Sequence, residues 1–154
     1  MENLRVLNSK DMKQIFAVLN DQYGNDYSIL IKKYAFLMNA KNKVFMINRD
    51  FSKLDTSKVR INSAGMYLGE MYNGQMRCSI EGSAILGKNA TKNVIEIGKD
   101  NLLNWLRGNK IEVVHEDTGF VIVKAGDDFA GAGKVKDNVL MPYVNKNRWV
   151  NSTS

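Results

Sequence analysis

The first periodic pattern along the chain is that of an amphipathic helix. Apolar residues recur at three- and four-residue intervals between Met12 and Leu19, so they share one helical face. Asn8 is a capping-type residue, and Asp11 adds negative charge to the first turn. The pattern predicts a helix that begins after Asn8 and ends before Tyr23.

Apolar runs of strand length follow and form two predicted hairpins: residues 34–38 with 44–47, and residues 65–72 with 75–79. The second hairpin carries the stronger signal, because Asn73-Gly74 is a dipeptide that two-residue hairpin turns favour. A short helix over residues 81–86, ending at Gly87, completes the predicted first domain, residues 1–91.

A second unit begins near Lys92 and forms the predicted second domain, residues 92–154. Its pattern predicts strands over residues 94–97, 111–114, 119–124, 129–136 and 139–141. The last of these strands is expected to stop at Pro142. The helix after the first strand carries Trp105 among leucines, and Gly108 supplies the left-handed residue at its end. Because no Pro- or Ser-rich linker separates the two units, we expect them to pack tightly.

Composition is that of an ordinary folded protein. The 154 residues are 44% hydrophobic and 25% charged, which suits one domain or two small ones and excludes collagen-like and disordered classes. Cys78 is the only cysteine, so an internal disulfide is excluded and a reducing compartment is favoured. No apolar run approaches the ~18 residues of a membrane span, and the first residues lack signal-peptide features. We therefore expect a cytoplasmic protein with no membrane partner.

Charge is distributed unevenly along the chain. With 22 Lys and Arg against 16 Asp and Glu, the net charge is +6. Residues 32–60 have a balance of +6, residues 112–128 of −4, and residues 132–154 of +3. Clustered cations of this kind are typical of surfaces that meet nucleic-acid phosphates. A solvated surface that keeps the protein in solution explains the pattern equally well.

Residues that could catalyse a reaction are few. One Cys and one His exclude a structural zinc site built from four such ligands. Cys78 and His115 are the residue types of a nucleophile–base pair. However, Cys78 lies in an alternating strand and His115 at a strand end, which favours a buried thiol and a turn histidine. The adjacent Asp127 and Asp128 favour a turn rather than an acid–base couple, because neighbouring side chains point apart.

The run Ala130-Gly-Ala-Gly-Lys134 resembles a phosphate-binding loop only superficially. That motif requires glycine where Asp128 stands and Ser or Thr where Val135 stands. An ATPase is therefore excluded, and the alternating glycines indicate close backbone approach or a bulge. We expect no enzymatic activity, no metal and no cofactor.

Two stretches of the second unit resemble a PUA domain: residues 94–111, and residues 119–125 followed by 130–134. The PUA domain is a compact pseudo-barrel found in RNA-modifying enzymes and ribosome-assembly proteins. Residues 7–16, 43–47 and 64–79 resemble the N-terminal domain of the Nip-seven type of large-subunit ribosome-biogenesis factor, in which a PUA domain follows a small α/β domain. The resemblance implies an α+β fold: a small N-terminal α/β domain followed by a C-terminal PUA-type mixed β pseudo-barrel.

A second resemblance concerns the predicted Asn-Gly hairpin. The strand with Leu68-Gly-Glu70 and its turn is also similar to the PUA-like tail of RNA cytosine methyltransferases of the NOL/NOP/Sun type. The segment from Met141 onward departs from the Nip-seven pattern, in which this segment is usually longer and helical. This departure puts the tail contacts of that family in doubt.

In RNA-binding PUA domains the first helix, the following strand and the C-terminal segment commonly face RNA. By position this resemblance implies contacts from Lys99, Arg107, Lys110, Lys134, Lys136, Lys146 and Arg148. Gly108 is added because its missing side chain lets a phosphate or base approach the backbone. Arg107 suits a bidentate contact with a phosphate or a guanine edge. Trp149 either stacks on a base or closes the barrel, and Trp105 is predicted to be core.

The leading hypothesis is a non-catalytic RNA-binding protein that acts on structured ribosomal RNA, as a ribosome-biogenesis or RNA-modification accessory factor. Its expected partners are that RNA and ribosome-assembly proteins. The alternative is a protein–protein docking module for an RNA-modifying enzyme or a ribosomal protein, with the acidic stretch 112–128 as its docking face.

Overall fold

The first helix forms where the apolar spacing predicts it. In the computed structural model, which describes residues 4–49, 65–116 and 119–144, helix α1 spans Ser9–Tyr23. The Asn8 side chain accepts a hydrogen bond from Asp11 N at 2.9 Å, and the Asp11 carboxylate accepts one from Asn8 N. Gly24, with φ +66°, ends the helix one residue later than predicted.

Five antiparallel strands form the first sheet, in chain order: β1 (Arg5–Val6), β2 (Tyr34–Met38), β3 (Lys43–Asn48), β4 (Gly65–Tyr72) and β5 (Gln75–Cys78). Both predicted hairpins are confirmed as β2–β3 and β4–β5. Helix α2 (Leu30–Lys33) precedes β2, and α3 (Ile80–Gly87) follows β5. Helix α1 packs on this sheet, with the Phe16 and Phe36 rings edge to face at 5.2 Å.

The second sheet belongs to the second half of the chain. Its strands are β6 (Val94–Glu96), β7 (Ile111–Glu112), β8 (Phe120–Ala125), β9 (Asp128–Lys136) and β10 (Val139–Pro142), in the spatial order β6-β8-β9-β10-β7. The β6–β8 pair is parallel and the other pairs are antiparallel. A 3₁₀ turn (Lys99–Asn101) and α4 (Leu102–Leu106) follow β6.

The second sheet curls into a half-barrel around the indole of Trp105. This side chain is fully buried, and its Nε1 donates to Ala130 O at 2.8 Å. A Cβ at Gly133 would lie 2.8 Å from the indole, so the glycine is required for close packing, as the sequence indicated. The predicted α+β fold with a PUA-type half-barrel is confirmed, and Trp105 is core.

Two strand predictions in this half differ from the structure. Strand β7 ends at Glu112, two residues earlier than predicted. Strand β10 ends at Pro142 itself, one residue later than predicted, and beyond it Tyr143 N donates to Ala132 O at 2.9 Å. Hydrogen-bonded positions alternate in an antiparallel pair, so the missing N–H of Pro142 falls where β9 requires no donor.

The two halves are joined by buried hydrogen bonds. Gln22 on α1 is 7% exposed; its Nε2 donates to Met76 O at 3.1 Å and to Phe120 O at 3.2 Å, and its Oε1 accepts from Met76 N at 2.7 Å. Ser83 Oγ on α3 accepts from Gly131 N at 3.0 Å. The halves therefore pack tightly, as expected, whereas the boundary at residues 91 and 92 stays a prediction.

Candidate nucleic-acid interface

The only cysteine and the only histidine occupy different surroundings. Cys78 is 2% exposed and its Sγ lies 3.4 Å from Tyr23 Oη. Burial raises the pKa of the Cys78 thiol to about 12, so the thiol is protonated at neutral pH. His115 N donates to Asn138 Oδ1 at 3.3 Å, at the turn between β9 and β10. No described hydrogen bond joins the thiol to the imidazole, in agreement with the buried-thiol and turn-histidine interpretation.

The acidic pair lies in an exposed turn, as predicted. Asp127 and Asp128 form part of the β8–β9 turn, where Gly126 has φ +64°. The carboxylate that organises this turn is Glu96, which accepts from Gly98 N at 3.0 Å and from Gly126 N at 2.9 Å. These backbone hydrogen bonds, that of Gly98 first, lower the pKa of the Glu96 carboxyl. This cluster has a structural role in joining β6 to the turn.

The predicted RNA-binding lysines fall at two ends of the second sheet. The Lys99 side chain lies against the β8–β9 turn, where a Cβ at Gly126 would come within 2.5 Å of its Cε. Lys134 and Lys136 lie at the opposite end of β9, Lys136 next to the β9–β10 turn. The nine residues of β9 span roughly 26 Å at the usual rise per residue. Lys99 therefore lies well apart from the other two along the sheet.

Lys110 and Lys134 do come together. Ile111 pairs with Leu140, and both are buried on the inner face. Lys110 stands one residue earlier and so falls opposite Met141, the residue that pairs with Lys134. Extending the register by one residue thus places the two lysine positions about two strand spacings apart, roughly 10 Å.

The other residues predicted to contact RNA lie at the end of α4 or in the C-terminal segment. Gly108 has φ +86° at the end of α4, which explains this glycine by helix termination. Arg107 is half-buried, and within the described part of the chain its Nε is buried without a hydrogen-bond partner. Lys146, Arg148 and Trp149 lie outside the described residues.

Aromatic and cationic side chains from both halves meet beside Lys134. The junction patch consists of Tyr72, Arg77, Lys134 and Tyr143. Tyr72 is 50% and Tyr143 36% exposed, whereas Phe120 behind them is 4% exposed. The Phe120 ring contacts Tyr143 edge to face at 5.2 Å and Tyr72 at 6.1 Å.

The two cations of the junction patch lie over the rings of Phe120 and Tyr143. Lys134 Nζ is 5.5 Å from the centre of the Phe120 ring, and Arg77 Cζ is 6.0 Å from that of Tyr143. Arg77 also forms an ion pair with Glu70. The positive charges are therefore held beside aromatic faces, the arrangement of a cation–π contact.

The β4–β5 hairpin carries half of the junction patch because of its register. Tyr72 pairs with Gln75 and Glu70 with Arg77, so these four side chains share one face. Gln75 Oε1 accepts from Phe120 N at 3.0 Å, which fixes the hairpin against β8. The register set by the Asn73-Gly74 turn thus determines which side chains meet the second sheet.

The sequence analysis did not single out Tyr72, Arg77 and Tyr143 as candidate site residues. All of the predicted RNA contacts lie in the second half of the chain, whereas Tyr72 and Arg77 belong to the first half. Hairpin alternation does give their shared face, and this is the only signal that the sequence carries for them. The contacts of Tyr72 with Phe120 and of Arg77 with Tyr143 each join positions more than 40 residues apart, which no local pattern encodes.

The geometry above indicates the class of domain. A curled five-stranded sheet closes over a helix that carries a tryptophan, and a first sheet with its own helices precedes it in the chain. Residues 92–149 match the family model described as the Methyltransferase RsmF PUA domain. A comparison with curated proteins gives no match. The second half is therefore a PUA-like domain, of a class that generally binds RNA and is found in RNA-modifying enzymes.

Two kinds of feature are absent from the described residues. Within residues 4–49, 65–116 and 119–144, no helix has the length and apolar character needed to cross a bilayer. The same residues contain no group of three or more His, Cys, Asp or Glu side chains placed to hold a metal ion.

Proposed function

We propose that this chain is a non-catalytic RNA-binding protein that presents structured ribosomal RNA to RNA-modifying chemistry supplied elsewhere. The observation that carries the proposal is the PUA match over residues 92–149, on a sheet whose outer face exposes Lys110 beside Lys134. The family description attaches this PUA type to a methyltransferase, which supports the RNA-modification role above ribosome assembly. The Nip-seven resemblance remains a prediction.

Electrostatics supports RNA as the partner class. The chain carries a net charge of +6, and cations on a binding surface release counterions when they neutralise phosphates. Lys110 and Lys134 lie roughly 10 Å apart on one outer face, a spacing over which two lysines act as separate point charges for a phosphate backbone. Shape and backbone contacts should therefore dominate over base sequence, as is usual for folded RNA.

A salt titration tests the proposal. Binding of the full chain to a ribosomal RNA stem-loop is measured between ~50 and ~200 mM salt, and we expect affinity to fall steeply. Lys110→Glu/Lys134→Glu should weaken binding at every salt concentration and flatten the slope by about two. Lys10→Glu/Lys13→Glu on the exposed face of α1 makes the same net-charge change and should do less. Absent binding at low salt, or a flat response, contradicts the proposal.

The docking-module alternative is supported by one observation. Val114 is fully exposed one residue beyond Val113, at the β7 edge of the second sheet and beside Glu112. An apolar side chain at an acidic sheet edge suits a basic protein segment added along the edge strand. In that case the charge-reversed Lys110→Glu/Lys134→Glu variant keeps its protein partner, whereas the RNA hypothesis requires it to lose RNA.

A further inference from the structure

We propose that the junction patch binds an unpaired nucleotide of the RNA, with its base stacked on Tyr72. This inference rests on the proposed RNA-binding function and specifies it: the ligand is folded RNA with a single-stranded stretch beside a stem. Lys134 and Arg77 then contact the phosphates that flank the stacked base.

The first support is the exposure of two aromatic rings at one place. Tyr72 is 50% and Tyr143 36% exposed, and both rings contact the buried ring of Phe120. A base stacked on an aromatic side chain typically strengthens binding by roughly 5- to 150-fold. Bases inside a duplex are already stacked on each other, so only an unpaired base can offer its face to Tyr72.

The second support is that the rings are held in place before RNA arrives. The edge-to-face contacts with Phe120 at 5.2 and 6.1 Å restrict Tyr143 and Tyr72. The hydrogen bond from Phe120 N to Gln75 Oε1 anchors the hairpin that carries Tyr72. Restricting a side chain in advance lowers the entropy lost on binding.

The third support is the position of the charges. Lys134 Nζ lies 5.5 Å from the centre of the Phe120 ring. Arg77 Cζ lies 6.0 Å from the ring centre of Tyr143 and is oriented by its ion pair with Glu70. One cation thus lies beside Tyr143 and the other beside Phe120, the ring that contacts both tyrosines, so positive charge stands next to the exposed rings. Grooves that bind single strands combine such charges with aromatic rings. A purely apolar protein segment would offer no negative charge to pair with either cation.

Two matched RNAs test the inference: a stem-loop with a five-nucleotide single-stranded extension, and the same stem-loop with a blunt end. The full chain should bind the extended RNA about tenfold more tightly, a factor within the range that stacking supplies. Tyr72→Ala should remove this preference, and Tyr72→Phe should keep it because the ring remains. Met66→Ala changes a side chain of similar exposure, 43%, on the same strand and should leave the preference intact.

A spectroscopic readout on the unaltered chain keeps the test independent of how the variants fold. 2-Aminopurine placed in the extension should lose fluorescence on binding, because stacking on an aromatic ring quenches it. Equal affinity for both RNAs, an unchanged preference in Tyr72→Ala, or an unquenched probe overturns the inference while leaving RNA binding in place. Failure to bind either RNA overturns the proposed function itself.

Discussion

The two halves of the molecule differ in what each contributes to binding. Residues 92–149 match the PUA family model, yet residues 92–154 carry 9 Lys and Arg against 8 Asp and Glu, a balance of +1. Residues 1–91 carry 13 against 8, a balance of +5. The domain that indicates the ligand class is thus nearly neutral, and most of the net positive charge lies in the domain beside it. A family match locates the fold, but the charge that draws in RNA is not confined to the matched residues.

At the junction between the halves, residues of the more positively charged first half lie next to the PUA-like sheet. Hydrogen bonds at this junction fix the β4–β5 hairpin against β8, so that Arg77 and Tyr72 of the first half extend the Lys134 face of the second. We therefore expect that neither half alone reproduces the affinity of the whole chain.

The largest effect should come from breaking the hydrogen bonds that join the halves. Gln22→Ala leaves Met76 N and Phe120 O buried without their side-chain partner, and each unsatisfied group costs about 1–3 kcal/mol. We expect the free energy of unfolding to fall by about 3 kcal/mol, measured by urea denaturation. Gln14→Ala, on the exposed face of the same helix, should change it by less than about 0.5 kcal/mol. Equal effects of the two substitutions would show that the halves do not depend on Gln22.

The next test separates structure from binding within β9. A Cβ at Gly133 would lie 2.8 Å from both Trp105 and Leu140, so Gly133→Ala should destabilise the fold by about 1–3 kcal/mol through overpacking. RNA affinity per folded molecule should stay the same, because this position faces the core. A loss of affinity without a loss of stability would instead make Gly133 part of the binding surface.

The next largest effect distinguishes Lys134 from Lys99. The PUA resemblance implies RNA contacts from both lysines. Lys134→Glu should lower RNA affinity on the order of tenfold and reduce the salt slope by about one. Lys99→Glu, which makes the same charge change at the far end of β9, should alter affinity less than about twofold. Fluorescence anisotropy at two salt concentrations measures both. If Lys99→Glu has the larger effect, the interface lies at the β8–β9 turn.

The smallest effect concerns pH and the β8–β9 turn. The Gly98 and Gly126 amides lower the pKa of the Glu96 carboxyl, so the stabilising charge is present above the unfolded-state pKa and is lost as pH falls through the lower folded-state value. Glu96→Gln should therefore be less stable than the natural chain at pH 7, and the difference should shrink in acid. Urea denaturation at several pH values measures it. A difference that is constant with pH would remove the ionised carboxylate from the account.

Much of the fold follows from local signals in the sequence. The α1 capping residues, the Asn73-Gly74 turn and the glycine at 108 each specify a conformation through their own neighbours, and all three form as predicted. Strand β1 was missed because two residues carry no periodicity. Strand β10 includes Pro142, one residue more than predicted, because the register that makes its missing N–H harmless depends on β9.

The candidate site was less predictable, for a physical reason. The resemblance to a PUA domain indicated the ligand class, and it placed Lys110 and Lys134 among the candidate residues. The distance between Lys99 and Lys134 arises because Lys99 folds against the β8–β9 turn, whereas Lys134 lies near the far end of β9. The junction patch depends on contacts between Tyr72, Phe120 and Tyr143, which bring distant parts of the chain together.

The most direct test of the central claim is an NMR titration of the ¹⁵N-labelled full chain with the extended stem-loop RNA. If both halves form one interface, backbone amide signals should shift around Tyr72 and Arg77 as well as around Lys134 and Tyr143. Signals near Lys99 should move little. Shifts confined to residues 92–149, or no shifts at all, would contradict a shared RNA-binding surface.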